Sequence, residues 1–252
     1  MILVFGGTTE GKQVIEVLNT LQKPFVYTTK TKINAEVGSS GAYRFGAFTV
    51  ESLEQFIKEK GISLIIHASH PFAEVLHKTI AVVAAQTKIP VYRLERKYPV
   101  REINDTVNYV NDYTALKELL QSDYKNIKGL FLTGVQTIER LQYFWENQLS
   151  YFRILNREIS IGIAQKSNFP KEQLILGMPN KNVEDEVELI TNLDIEFIVT
   201  KESGESGALL IKIAAAKQCN IPIVIIKKPK LPSSFILVEN KKSLEKVIEN
   251  LY

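Results

Sequence analysis

Short apolar runs rich in Val, Ile and Phe recur along this chain, each followed by glycine or small residues and then by a stretch with helical periodicity. That alternation constrains the fold more than any other feature. An apolar run without polar alternation is a strand covered on both faces, and the helix that follows it supplies the cover. Residues 1–5 predict a strand, 6–11 a turn, and 12–21 a helix with Val14, Ile15, Val17, Leu18 and Leu21 on its apolar face. After Pro24 the same reading gives strands over 25–28, 64–66 and 91–94 and helices over 53–60, 71–86 and 113–120.

The polar stretch 121–128 predicts a boundary, with one domain over 1–125 and a second over 126–252. Beyond it come strands over 129–132, 151–155, 197–200 and 223–226, and helices over 138–146, 184–192, 209–218 and 242–251. The expected class is α/β: two Rossmann-like, doubly wound domains with mostly parallel sheets and an interdomain cleft. In such sheets ligands sit beyond the carboxyl ends of the strands, so the residues just after each strand carry the functional argument.

Composition narrows the partners. The 252 residues carry 31 Lys+Arg against 28 Asp+Glu, a formal charge of +3, too small to imply nucleic acid. A single cysteine, Cys219, permits no internal disulfide, and no CxxC pair exists for zinc or thiol exchange. No apolar run approaches the roughly 18 residues of a membrane span, and residues 1–7 carry no basic leader. The expectation is a soluble cytoplasmic protein, monomeric or a small homo-oligomer, with small-molecule partners only.

The first loop, Gly6-Gly7-Thr8-Thr9-Glu10-Gly11-Lys12, fits G-x-x-x-x-G-K, but Gln13 stands where a P-loop needs Ser or Thr for magnesium. It also fits G-x-G-x-x-G with Thr8 in place of the second glycine. Gly7, Thr8, Thr9 and Glu10 are therefore candidate cofactor residues. The alternative is a tight strand-to-helix turn that needs glycine for geometry alone. The second strand runs into Lys30 and Lys32 without the acidic residue that holds an NAD ribose, so NADPH suits it at least as well as NADH.

His67, His70 and His77 fall within eleven residues, yet no cysteine accompanies them, and no metal site is expected. The segment Ser69-His70-Pro71-Phe72 is instead expected as a strand-to-helix loop facing ligand, with Pro71 as the first helical residue; a Ser69 helix cap is the plainer alternative. Arg93 and Arg96, after the strand at 91–94, are candidates for bidentate capture of carboxylates. In the second half, Thr133, Gly134 and Gln136 follow one strand, and Lys201, Ser203 and Gly204 follow another, both suited to anions. No G-x-S-x-G elbow is present, which argues against a serine hydrolase.

Taken in order, these loops resemble the precorrin-6A reductase family of cobalamin biosynthesis, including its anaerobic cobalt-precorrin-6A branch. Gly6-Gly7-Thr8-Thr9-Glu10 is similar to the family's GGTxE turn, His70-Pro71-Phe72-Ala73 to its HP[FY]A segment and Arg93-Leu94-Glu95-Arg96 to its RxER. Thr133-Gly134-x-Gln136 and Thr200-Lys201-x-Ser203-Gly204-x-x-Gly207 resemble its TGxQ and TKxSGxxG loops. His67 and Ser69 stand where the family has Asp and Thr.

The resemblance implies an oxidoreductase that reduces one macrocycle double bond with hydride from NADPH or NADH. It implies a carboxylate-rich tetrapyrrole bound by Lys30, Ser69, His70, Pro71, Phe72, Arg93, Arg96, Lys201, Ser203 and Gly204. His70 is the candidate proton donor. The cofactor is expected at Gly7, Thr8, Thr9 and Glu10 and at Thr133, Gly134 and Gln136. Competing readings are a P-loop-like NTPase using Gly6–Lys12 and a nucleotide-binding module without turnover.

Overall fold

The computed structural model describes residues 1–251, and the chain divides into two compact units. The first begins with β1 (Ile2–Phe5), α1 (Thr9–Thr20), β2 (Phe25–Thr29), β3 (Gly41–Phe45) and α2 (Val50–Lys60). It continues through β4 (Leu64–His67), α3 (Glu74–Thr87) and β5 (Val91–Leu94). The second contains β6 (Val107–Val110), α4 (Tyr113–Ser122), β7 (Gly129–Leu132), α5 (Gln142–Trp145), β8 (Ser150–Ile154) and α6 (Glu158–Lys166). It ends with β9 (Leu174–Leu176), α7 (Val183–Asn192), β10 (Phe197–Lys201), α8 (Leu209–Gln218) and β11 (Ile223–Ile226). The chain then returns to the first unit as β12 (Ile236–Val238) and α9 (Lys241–Leu251).

Each unit holds a six-stranded sheet in which every pairing is parallel. The orders are β12-β5-β4-β1-β2-β3 and β6-β11-β10-β7-β8-β9. Both sheets are doubly wound, as the alternation of apolar runs and helices predicts.

The boundary expected at 125/126 lies elsewhere. Unit one is Met1–Lys97 plus Pro229–Tyr252, and unit two is Tyr98–Lys228. The physical reason is strand pairing: Val107–Val110 add to β11, while Ile236–Val238 add to β5, so each half of the sequence contributes one edge strand to the other sheet.

Alternation along β1 explains how the first unit is covered. Ile2 and Val4 face one layer with Val14 and Leu18 of α1 and Leu244 and Ile248 of α9, whereas Leu3 and Phe5 face Leu53 of α2 and Ile80 of α3. In the second unit β7 does the same. Leu130 and Leu132 join Ile190 of α7 and Leu209 of α8, while Phe131 stacks on Phe152 at 4.7 Å and meets Phe144 and Phe197 edge-on.

Two predicted helices change form. Pro71 does not open a helix: the Phe72 N–H donates to His70 Nδ1 at 3.2 Å and the Ala73 N–H to the His70 carbonyl at 2.9 Å, a turn that delays α3 to Glu74. The cap position is then Ala73, which has no side-chain acceptor, so Ser69 is not the cap. The single helix expected over 138–146 is split into 3-10 turns and the short α5. There the indole N–H of Trp145 donates to the Ile138 carbonyl at 2.7 Å, across the 3-10 turns.

Because α9 completes the core of the first unit, Leu244→Ala, at a side chain with no exposure, is expected to lower stability by roughly 2–5 kcal/mol. Urea unfolding followed by circular dichroism measures it.

Candidate functional site

In the first sheet the order reverses between β1 and β4, and the crevice of a doubly wound sheet lies beyond the ends of such a pair. The loops there are those expected from sequence, Gly6–Glu10 after β1 and Ala68–Ala73 after β4. Thr8 joins them: its hydroxyl donates to the Ala68 carbonyl at 2.5 Å and accepts the Gly11 N–H at 3.1 Å, capping α1.

The glycines of this turn pack against a ring. A Cβ at Gly6 would lie 2.2 Å from the Tyr27 ring and one at Gly11 2.6 Å from its hydroxyl, while the Gly7 N–H donates to that hydroxyl at 2.7 Å. Tyr27 thus takes the Gly7 amide and fills the space that side chains at the first and third glycine positions of the G-x-G-x-x-G pattern would need, while Thr8 stands at the second, where a pyrophosphate approaches the backbone. Glu10, in the first turn of α1 and 5% exposed, is ion-paired with Arg96 at 2.7 Å, so a carboxylate of the chain itself already complements the positive helix end.

The arginines differ from expectation. Arg93 is 1% exposed, donates to the Ser69 carbonyl at 2.8 Å and stands 3.6 Å from Glu95. Arg96 is enclosed with Glu10. Both brace the strand-end loops from inside instead of presenting guanidinium groups to a ligand, because each has a carboxylate within reach along the fold. Ser69 and Pro71 are buried and Phe72 half-buried, whereas Lys30, Gly7, Thr9 and His70 are exposed at this edge.

Behind the loop, His67 and His77 lie with ring centroids 5.0 Å apart. Ser69 Oγ lies 3.5 Å from His67 Nδ1, while His67 Nε2 is buried without a hydrogen-bond partner among the described residues. Burial, reinforced by the charge of Arg93, holds His67 well below the usual histidine range. The same causes bring His77 down to about 4. Among the described residues no three His, Cys, Asp or Glu side chains converge as metal ligands.

The second sheet reverses between β7 and β10. After β7, Thr133 is buried with its hydroxyl 2.6 Å from that of Thr137, Gln136 is exposed, and Gly134 adopts φ +82° with no atom within 4 Å of where a Cβ would stand. After β10, the Glu202 carboxylate takes two bonds from Arg101, at 2.7 and 2.9 Å, and one from the Lys228 N–H at 2.9 Å. Ser203 Oγ donates to the Gly207 carbonyl at 3.3 Å and would lie 2.0 Å from a Cβ there, so only glycine closes this turn. Lys201 is half-buried at the strand end, and Gly204 has φ +69°.

Sequence reasoning missed Lys212. It is 4% exposed and its ammonium donates to the Gly207 carbonyl at 2.9 Å and Thr200 Oγ1 at 3.3 Å. The available signal was its helical spacing from Leu209, Ala215 and Ala216, which places it on the buried face of α8.

Neutral buried imidazoles make the first unit sensitive to acid. His77 binds no proton in the folded state above about pH 4 but binds one when unfolded below about 6.5, so stability is lost as pH falls through that window. Thermal melts between pH 7 and 4 are expected to show this decline, and His77→Phe to flatten it.

Comparison with known proteins agrees with this architecture. The family model of Precorrin-6x reductase CbiJ/CobK matches residues 1–251. A cobalt-precorrin-6A reductase of Priestia megaterium is 30% identical, over 92% of this chain and 91% of its own. A precorrin-6A reductase of Rhodobacter capsulatus is 23% identical, over 92% of this chain and 89% of its own. The solved structure of the CobK precorrin-6A reductase superposes with a TM-score of 0.79 at 20% identity, covering 99% of this chain and 96% of that one, a likeness in fold. No helix among the described residues is long and apolar enough to cross a membrane. The chain belongs to the precorrin-6x reductase family.

Proposed function

We propose that this protein reduces one double bond of a precorrin-6A macrocycle, with or without cobalt, using a nicotinamide dinucleotide. The observation that carries this is the family match along residues 1–251, supported by relatives named as cobalt-precorrin-6A reductases. The bound cofactor would supply hydride to one carbon of the double bond, and a proton would complete the neighbouring carbon.

The second unit fits the dinucleotide better than the first. At Gly134 the backbone is open and its positive φ turns the chain sharply after β7, so a pyrophosphate can approach main-chain amides there. In the corresponding turn of the first unit the Gly7 amide is already bonded to Tyr27, Thr8 replaces the second glycine, and Glu10, paired with Arg96, places a carboxylate at the helix end. Thr133, Gly134 and Gln136, with Lys201, Ser203 and Gly204, would hold the phosphates. Gly7, Thr8, Thr9 and Glu10 then shape the first unit's crevice rather than bind cofactor.

The macrocycle's carboxylates need cations at the exposed edge of a strand end, and Lys30 stands at such a position after β2. His70, exposed on its turn, offers a hydrogen bond or a proton to the ring, while Phe72 offers an apolar face beside it, with ring centroids 5.9 Å apart. Arg93 and Arg96 act on substrate only by fixing the crevice loops, Arg93 through the Ser69 carbonyl and Arg96 through Glu10.

The test is anaerobic oxidation of NADH and NADPH, followed by absorbance, with cobalt-precorrin-6A and metal-free precorrin-6A offered separately. Turnover with at least one pair is expected, and none with folded protein would overturn the reading. In the same assay His70→Ala is expected to lower kcat by about 10²–10⁴-fold in protein that circular dichroism shows to be folded. Lys30→Met is expected to raise the macrocycle KM and leave that of the nicotinamide cofactor alone.

A further inference from the structure

A buried lysine needs a reason, because lysine almost always keeps its ammonium in water unless a carboxylate meets it. Among the described residues Lys212 is met by a hydroxyl and a carbonyl, Thr200 Oγ1 and Gly207 O. The carboxylate whose charge favours its ammonium, Glu186 of α7, is engaged by both terminal nitrogens of Arg153 on β8. The buried cations Lys212 and Arg153 thus share the charge of Glu186. Buried ions that lack a counter-ion are costly, and such a cluster is short of negative charge.

The position of the lysine says where that charge belongs. Thr200 lies in the strand and Gly207 in the turn that bound the crevice on the β10 side, and β7, hydrogen-bonded to β10, leads into the open Gly134 on the other. An ammonium has three N–H donors, and the two bonds to Thr200 and Gly207 leave one over. We propose that Lys212 is the buried counter-cation for an oxyanion of a ligand seated on the loops Thr133–Thr137 and Thr200–Gly207.

The inference rests on the reading that these loops bind a ligand of the reductase. The oxyanion belongs either to the pyrophosphate of the dinucleotide or to a carboxylate of the macrocycle, and both draw on the same donors. Burial and the repulsion of Arg153 and Lys201, opposed by Glu186, bring the Lys212 ammonium down to about 8. An anion bound beside it pushes this value up again, so ligand affinity is coupled to pH just above neutrality.

The experiment compares dissociation constants of NADH and NADPH, by fluorescence, and of cobalt-precorrin-6A and precorrin-6A, by absorbance, in wild-type protein, Lys212→Met and Lys212→Arg. Lys212→Met is expected to weaken one ligand class about tenfold to a hundredfold, the loss of one charge-assisted hydrogen bond, without lowering the melting temperature. Lys212→Arg is expected to restore most of the affinity. Weakening confined to the nucleotides assigns the oxyanion to phosphate, and weakening confined to the macrocycles assigns it to carboxylate.

Folded Lys212→Met protein that binds all four probes as wild type does overturns the proposal. Should Lys212→Met not fold, the wild-type protein decides: affinity for one class falls as pH rises through about 8, and a flat profile for both classes overturns it. Wild-type protein that binds none of the four overturns the reductase reading itself, an outcome distinct from either result with the variant.

Discussion

Parallel pairing is the constraint on which the rest depends. It sends every strand of a sheet in one direction, so all the strand-to-helix loops gather along one edge, and every return passes over a face through a helix or a long connection. Where the order reverses, between β1 and β4 and between β7 and β10, neighbouring loops diverge to opposite faces and leave a crevice. The chain has built its most unusual chemistry at those two places. Around them lie buried charges that the fold must neutralise. Glu10 is answered by Arg96, Glu202 by Arg101, and Glu186 by Arg153. Each pair ties a loop or helix to an element remote in sequence, so the geometry of the edge follows from ion pairs beneath it.

The central strands are legible in the sequence, because burial on both faces leaves an unbroken apolar run such as Ile223–Ile226 or Phe197–Thr200. The strands that escaped notice were β3, β6, β9 and β12, and these are the four sheet edges. An edge strand is half-covered, as the mixed exposure of β3 and β12 shows, so its sequence carries no strong pattern. The misplaced boundary follows from the same cause. With β6 and β12 invisible, nothing in the sequence tells that each unit borrows a strand from the other half.

Within the crevices, the loops were legible and the roles of individual residues less so. An arginine after a strand reads the same whether it projects outward or, like Arg93, turns beneath the sheet edge to a carbonyl and a carboxylate. A glycine-rich turn likewise reads the same whether its space is kept for a phosphate or filled by a tyrosine from the next strand. Tyr27 is a plain core residue in sequence, and only its hydroxyl position, 2.7 Å from the Gly7 nitrogen, shows what the glycines accommodate. Lys212 illustrates the converse: a polar letter in an alanine-rich helix passes for a solvated position unless its angular neighbours are counted.

The exchanged edge strands bear on how the protein is made. Residues 98–228 form a continuous unit that can complete its sheet as soon as it has left the ribosome, β6 being synthesised ahead of the strands it joins. The first unit is synthesised earlier but lacks β12 and α9 until residues 229–251 appear, so one face of its sheet, with Val14 and Leu18, stays open in the meantime. The half that emerges first is therefore the half that finishes last. During that interval β5 has no neighbour on its outer side, and a nascent chain is most exposed to pairing with another copy of itself.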